Sequence, residues 1–171
     1  MPEGGDDARE LQGRSTAVKE AWGRTNEDME AIAEARREEG WEVVAVPAVH
    51  TSPVGKRQGK NEERFGLVHV IPDNYADEFV EAFEQGEFPR YEAYRNEVGQ
   101  HVYLVTELRD PETETVILIA SHYEGNRARE MLRSVREEGV IYTHAKTLDG
   151  TLLGSIRHEE YGPLVPENVL N

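Results

Sequence analysis

The chain has 171 residues and a net charge of −15, because 34 acidic residues outnumber 19 basic ones. This length fits one domain with a sizeable core, and no apolar run approaches the ~20 residues that a membrane helix needs. The absence of cysteine excludes disulfides and thiolate catalysis. The acidic segment Met1–Glu10 is unlike a signal peptide. We therefore expect a cytoplasmic protein.

The charge pattern is typical of a protein that stays dissolved in concentrated salt. Arginine dominates the basic residues, and the lysines are only Lys19, Lys56, Lys60 and Lys146. At molar ionic strength the Debye length falls to about 3 Å, which screens the self-repulsion of an acidic surface. Acidity argues against free nucleic acid as the main partner, because phosphate binding needs Lys and Arg. High salt weakens that argument, so an RNA or ribosome-linked role stays open.

The first segment, residues 1–13, is predicted to be a disordered acidic leader, since it lacks periodic apolar residues. A helical segment is predicted over 14–40, where apolar residues recur near helical spacing and Gly40 is a natural stop. Gly23 precedes a new N-cap signal, which favours either two helices or one kinked helix.

The apolar stripe of this helical segment is thin. It contains Trp22 and Met29 with few other large apolar side chains. Such a stripe is typical of a helix on the outside of a domain. A homo-oligomer that uses this helix as its interface is one hypothesis for the stripe.

The third segment, 41–161, is predicted to be a single α+β domain, followed by an irregular tail over 162–171. Strong local signals include the Asp149-Gly150 hairpin turn. We expect a mainly antiparallel sheet of about seven strands: Trp41–His50, Phe65–Pro72, Tyr91–Glu97, His101–Arg109, Thr115–His122, Ile141–Thr147 and Thr151–His158. The two helices predicted among them are Asn74–Gln85 and Asn126–Glu138.

These elements suggest an internal repeat. Strand, helix, strand and strand follow one another from Leu67 to Glu107, and again from Val116 to Arg157. If the repeat is real, the two β-α-β-β units pack about a pseudo-twofold axis with a groove between them. The alternative is two unrelated α+β segments whose order matches by chance.

The predicted loop Thr51–Arg64 carries the densest basic cluster of this acidic chain. Its spacing differs from a Walker loop, because three residues separate Gly55 from Gly59 and Asn61 follows Lys60. Two glycines free the backbone N–H groups beside several cations, which favours anion binding. The alternative is a solvated connection whose charges balance nearby glutamates. The candidate ligand-binding residues are Lys56, Arg57, Lys60 and Arg64.

His50 is the candidate catalytic residue if the protein is an enzyme. It ends the first predicted strand beside the basic loop, where a titratable ring can act as a general base near a bound anion. No Gly-x-Ser-x-Gly nucleophile motif occurs, and Ser121 and His122 are neighbours on a strand, so they point to opposite faces.

No metal site and no cofactor are expected. The histidines lack a sequence-local ligand spacing such as His-x-x-x-His, and no cysteine can complete a site. The alternative is a site assembled across strands from His122, His158 and Glu159. Histidines in strands more often serve as hydrogen-bonded structural residues.

Several stretches together resemble an uncharacterised haloarchaeal protein family of unknown function. The similarity covers roughly Trp22 to Tyr161 and implies a halophilic archaeal host, while it carries over no activity and no catalytic residue. The stretches are Trp41-Glu-Val-Val-Ala-Val, Arg64-Phe-Gly-Leu-Val, Leu104-Val-Thr-Glu-Leu-Arg-Asp-Pro-Glu-Thr-Glu, Tyr142-Thr-His, Leu148-Asp-Gly-Thr and Arg157-His-Glu.

The sequence therefore favours a non-catalytic binding protein of a halophile that recognises a protein partner or an anionic ligand through the 51–64 loop. The alternative is a small enzyme that acts on a phosphorylated or carboxylated metabolite, with His50 as the base.

Overall fold

The computed structural model describes residues 3–56 and 65–166, and it confirms an α+β protein that begins with a helix. Within these ranges it contains three α-helices, which are α1 (Glu3–Glu38), α2 (Asp73–Glu84) and α3 (Arg129–Glu138). The eight strands are β1 (Glu42–Pro47), β2 (His50–Val54), β3 (Gly66–Val70), β4 (Arg90–Val98), β5 (His101–Asp110), β6 (Thr115–Glu124), β7 (Ile141–Lys146) and β8 (Leu152–His158). Short 3₁₀ helices lie at Gly125–Arg127 and Gly162–Leu164.

The strands form two mixed four-stranded sheets, so the prediction of one mainly antiparallel seven-stranded sheet is wrong. The first sheet has the order β1-β6-β5-β4 and the second has the order β2-β3-β7-β8. Each contains one parallel pair, β1 with β6 and β3 with β7, and its other pairs are antiparallel. The parallel pairs join distant parts of the chain, which local periodicity does not encode.

The two sheets are continuous on one side, where β1 leads into β2. The Ala48 N–H still donates to the carbonyl of Ala120 on β6 (2.8 Å), and the next N–H, that of Val49, donates to Val70 on β3 (2.8 Å). The predicted strand Trp41–His50 is therefore two strands in different sheets. Residues 51–54, predicted as loop, belong to β2, whose Pro53 is tolerated because β2 is an edge strand.

Strand pairing does not show the predicted internal repeat. The first strand of one predicted unit, β3, lies parallel to β7, which is the second strand of the other unit. The first strand of that other unit, β6, lies antiparallel to β5, which is a third strand. A pseudo-twofold axis would require β3 and β6, the first strands of the two units, to pair with equivalent strands.

The inner faces of the two sheets enclose two apolar clusters. We call one the α3 cluster, since Met131 and Val135 of α3 pack there with residues such as Leu67 and Leu104. We call the other the α2 cluster, since Phe79 and Ala82 of α2 pack there with residues such as Ile119. Both clusters take residues from both sheets, so they are two parts of one interior.

Helix α1 covers the outer face of the first sheet. Met29 and Ala33 are buried against β5 and β6, which supports the expected outer position of the helix. The helix runs unbroken through Gly23 and includes residues 3–13, where we expected a leader. Strong helix formers such as Ala8, Glu10 and Leu11 favour that extension. Among the described residues, no helix has the length and apolar character to cross a membrane.

Gly66 is expected to be indispensable, whereas Gly23 is not. Gly66 has φ +125°, and a Cβ added there would lie 2.1 Å from the carbonyl oxygen of Tyr142 on the neighbouring strand. We expect Gly66→Ala to lower the free energy of unfolding by at least about 2 kcal/mol, measured by urea denaturation. Gly23 lies within α1 with no atom near the added Cβ. Gly23→Ala is the matched control, and we expect it to raise stability by about 0.5–1 kcal/mol.

Candidate functional site

The sheets are open on the side opposite the β1–β2 joint, where the free edges of β4 and β8 face each other. We call this opening the seam. The C-terminal segment Tyr161–Pro166 closes one end of it. Arg95 on β4 donates to the carbonyl of Gly162 (2.9 Å). The hydroxyl of Tyr123 donates to the carbonyl of Leu164 (2.7 Å). Leu164 and Val165 are fully buried there.

The other end of the seam is a groove of about 850 Å³, which we call the seam groove. Its walls are the α2–β4 connection with the start of β4, and the end of β8 with the residues that follow it. Gly86 shapes the first wall, because a Cβ there would meet the Asp110 carboxylate at 1.8 Å. That carboxylate accepts the N–H of Glu87 (2.8 Å). The volume falls within the usual range for small-molecule sites.

Three arginines line the seam groove: Arg90, Arg109 and Arg157. Arg90 and Arg109 are directly opposite each other on β4 and β5, and like charges in that position destabilise a sheet. Arg109 pairs with Glu92 (3.0 Å). Arg90 and Arg157 form no ion pair with any residue that the structure describes. Arg90 and Arg157 are exposed and directly precede the inward-facing Tyr91 and His158, so their side chains point outward and lie at the rim of the groove.

Tyr91 and His158 form the inner wall of the seam groove. Their rings lie 4.0 Å apart, the Tyr91 hydroxyl donates to the carbonyl of Glu160, and His158 Nε2 lies 2.8 Å from the Thr143 hydroxyl. Burial lowers the pKa of His158 to about 4 and raises that of Tyr91 to about 12. Both side chains are therefore neutral at neutral pH.

A line of inward-facing polar residues continues from this wall through the interior. We call it the polar belt, and it has one residue from each of seven strands: Tyr91 (β4), Thr106 (β5), Ser121 (β6), Thr51 (β2), His69 (β3), Thr143 (β7) and His158 (β8).

The polar belt marks the boundary between the two apolar clusters. His69 shows the pattern: Leu67, two positions before it, belongs to the α3 cluster, and Ile71, two positions after it, belongs to the α2 cluster. The residues that flank Thr106, Ser121 and Thr143 divide in the same way. Since residues two apart on a strand share a face, all these polar side chains point inward at one level.

The predicted anion-binding loop falls largely outside the described residues. Arg57, Lys60 and Arg64 lie in the undescribed stretch 57–64, so their role stays a prediction. Lys56 forms an ion pair with Glu138 of α3, and its N–H donates to the Ser134 hydroxyl (2.9 Å). Lys56 is therefore the one candidate residue of the loop that the structure describes, and it is bound to α3.

His50, the predicted base, is exposed on β2 and its Nε2 lies 2.9 Å from the Ser52 hydroxyl. It lines neither the seam groove nor a second groove along α3. Because Arg57, Lys60 and Arg64 lie outside the described residues, the role of His50 as a base stays a prediction.

The alternative metal residues also stay apart. His122 lies on the outer face of the first sheet, where its ring contacts Trp22 of α1 at 4.9 Å. His158 points inward from the second sheet, next to exposed Glu159. No group of three potential ligands occurs within residues 3–56 and 65–166.

A second groove, of about 620 Å³, lies along α3 and is lined by Arg129, Arg133 and Arg136. Arg133 approaches Glu130 at 3.7 Å, and Glu97 and Glu137 line the same groove. Nearby carboxylates thus offset these cations, and the seam groove is the better-defined candidate.

The molecule is thus an α+β protein with a sheet pair that is continuous on one side and carries a ligand-sized groove on the other. The family comparison assigns no function to the chain. The chain belongs to the family of unknown function DUF7529, whose model matches residues 8–166. No curated protein and no solved structure matches it significantly.

Proposed function

We propose that the protein is a non-catalytic binding protein whose seam groove takes a small organic anion. The observation that carries this proposal is the presence of Arg90 and Arg157 at the rim of one groove, without an ion-pair partner among the described residues. Three glutamates line the same groove, yet none of them pairs with these arginines. Both cations therefore remain available to a ligand.

The chemistry of the walls favours an anion with an apolar part. A guanidinium binds a carboxylate or a phosphate through two parallel hydrogen bonds. An anion between Arg90 and Arg109 would also relieve the repulsion of two like charges on adjacent strands. Phe83 and Tyr91 supply aromatic surface in the same groove.

The titratable groups of the groove support binding without catalysis. A general base works best when its pKa lies near the operating pH. His158, with a pKa of about 4, is a weak base at neutral pH, and Tyr91, with a pKa of about 12, is a weak acid. The enzyme hypothesis with His50 as base stays a prediction.

The cellular setting is also a proposal. The net charge of −15 and the preference for arginine over lysine support a halophilic host. An archaeal host, which the family resemblance implies, and a cytoplasmic location stay predictions. A homo-oligomer through α1, a protein partner of the 51–64 loop and an RNA-linked role all stay predictions. Met29, predicted as part of an oligomer interface, packs within the chain instead.

The test is a binding titration with two probes, benzoate and inorganic phosphate, followed by NMR chemical shifts. We expect benzoate to cause saturable shifts at Tyr91, His158 and Phe83, and phosphate to bind more weakly because it lacks an apolar part. In the double variant Arg90→Gln/Arg157→Gln we expect benzoate affinity to fall about tenfold or more, since each charge-assisted bond contributes about 1.5–3 kcal/mol.

Arg129→Gln is the matched control, because Arg129 is an exposed arginine that lines the other groove. This variant should bind benzoate as the wild type does. The proposal fails if neither probe gives a saturable shift at the seam groove. It also fails if the double variant and the control bind the probe equally well.

A further inference from the structure

Three atoms of the polar belt are buried without a hydrogen-bond partner among the described residues. They are His69 Nε2, Thr106 Oγ1 and Ser121 Oγ. Each belongs to a side chain that is fully shielded from solvent, at 0% exposure. Burying a polar group without a partner is costly, so native proteins rarely contain such groups, and three at one level require an explanation.

The strand register brings these atoms to the same region of the interior. Thr106 is paired with Ile119 on β6, and Ser121 is two positions further along the same face. Thr51 on β2 is paired with His69 within the second sheet, and its hydroxyl lies 2.9 Å from His69 Nδ1. The strand β2 also packs against β6 of the first sheet, which brings this pair towards Ser121. The remaining ring nitrogen of His69 is the unpartnered Nε2.

We infer that the polar belt encloses a water molecule that bridges His69 Nε2, Thr106 Oγ1 and Ser121 Oγ. A buried water typically makes about three hydrogen bonds to polar groups that lack protein partners, which matches this set. Hydroxyl groups and a neutral imidazole each donate or accept, and water can do both.

The charge of the surroundings favours a neutral guest over an ion. The belt contains hydroxyl groups, two histidines and Tyr91, and it contains no carboxylate. The buried carboxylates of the first sheet are engaged elsewhere: Glu107 with Arg36 of α1, and Asp110 with the N–H groups of Glu87 and Glu112. An ion in the belt would be buried without a counter-charge, which is far more costly than burying water.

The site is distinct from the anion site proposed for the seam groove. None of the three atoms that would hold the water belongs to a residue that lines the seam groove. Loss of benzoate binding would therefore leave the inference about water untouched, and the reverse also holds.

The test is a crystal structure of the wild-type protein at a resolution that shows ordered water. We expect one density peak within hydrogen-bond distance, about 2.7–3.2 Å, of all three atoms. The double variant Thr106→Val/Ser121→Ala should lack this peak. Thr106→Ser, which keeps the hydroxyl group, should retain it.

Solution measurements keep the inference testable if the double variant does not fold. Thr106→Val alone should raise the unfolding equilibrium constant about tenfold. The variant removes one of the three hydrogen bonds of the water that also bonds to His69 and Ser121. Thr25→Val is the matched control, since Thr25 is a buried threonine of α1 that donates to Ala21 within the helix. It should leave the belt density unchanged.

Three outcomes would overturn the inference. One is a wild-type structure in which Thr106 and Ser121 bond directly to each other or to His69. Another is a peak that contacts only one of the three atoms. The third is density that fits an organic molecule.

Discussion

Arg36→Ala is expected to lower the free energy of unfolding by about 3–5 kcal/mol. Arg36 lies near the end of α1, and its guanidinium donates to both carboxylate oxygens of Glu107 on β5, at 2.7 and 3.2 Å. Glu107 is fully buried, and the hydrogen bond to it raises the pKa of Arg36 above its usual value. Without Arg36, the carboxylate of Glu107 would be buried with the Tyr94 hydroxyl as its one hydrogen-bond partner among the side chains that the structure describes.

The matched control is Arg37→Ala, because Arg37 is the next residue on the same helix and is exposed. We expect that variant to stay within about 0.5 kcal/mol of the wild type in urea denaturation. The double variant Arg36→Met/Glu107→Leu should recover most of the lost stability, since it removes both buried charges. Equal losses for Arg36→Ala and Arg37→Ala would contradict the assigned role of the pair.

Acidification is expected to destabilise the protein through two buried histidines. Burial, together with the nearby rings of His144 and His158, lowers the pKa of His69 to about 3, and burial lowers that of His158 to about 4. In the unfolded chain both rings titrate near 6.5. Above that pH both rings are neutral in both states. Below it the unfolded chain binds protons that the folded chain does not, so stability falls from about pH 6.5 towards pH 4 and below.

The expected size of this effect is about 2 kcal/mol for each ring at about pH 5. Urea denaturation across this pH range measures the effect as the change in the free energy of unfolding per pH unit. His69→Gln should reduce the slope by about 1.4 kcal/mol per pH unit, which corresponds to one proton. His50→Gln replaces an exposed histidine of β2 and serves as the control. If His69→Gln and the control have the same slope as the wild type, the buried-histidine explanation is wrong.

Local patterns in the sequence predict the helices and most strands, but not how the strands pair. The predicted helix Asn74–Gln85 is α2 shifted by one residue, and the Asp149-Gly150 turn joins β7 and β8 as expected. The pairing of β1 with β6 depends on contacts across the core, so one short strand gives no signal for it. Residues 51–54 of β2 were predicted as loop; Pro53 is unfavourable in most strands, but β2 is an edge strand, which tolerates proline.

The candidate site was less accessible to sequence reasoning. The strands Tyr91–Glu97 and His101–Arg109 were predicted, and the register observed between them places Arg90 opposite Arg109. That pair was the available signal for the seam groove. Arg157 joins it only because the two sheets meet at the seam, which no local pattern encodes. The polar belt was hidden for the same reason, since single Thr, Ser and His residues in apolar strands indicate no shared layer until the strands are arranged.

The two parallel strand pairs also have a consequence for how the chain folds. β1 pairs with β6, and β3 with β7, across separations of about seventy residues in each case. Closing such long loops costs entropy before the contacts repay it, so we expect slow folding for a chain of this size. On the ribosome, β1 and β3 would emerge long before their partners are synthesised. During that interval their unpaired edges would be open to aggregation or to a chaperone.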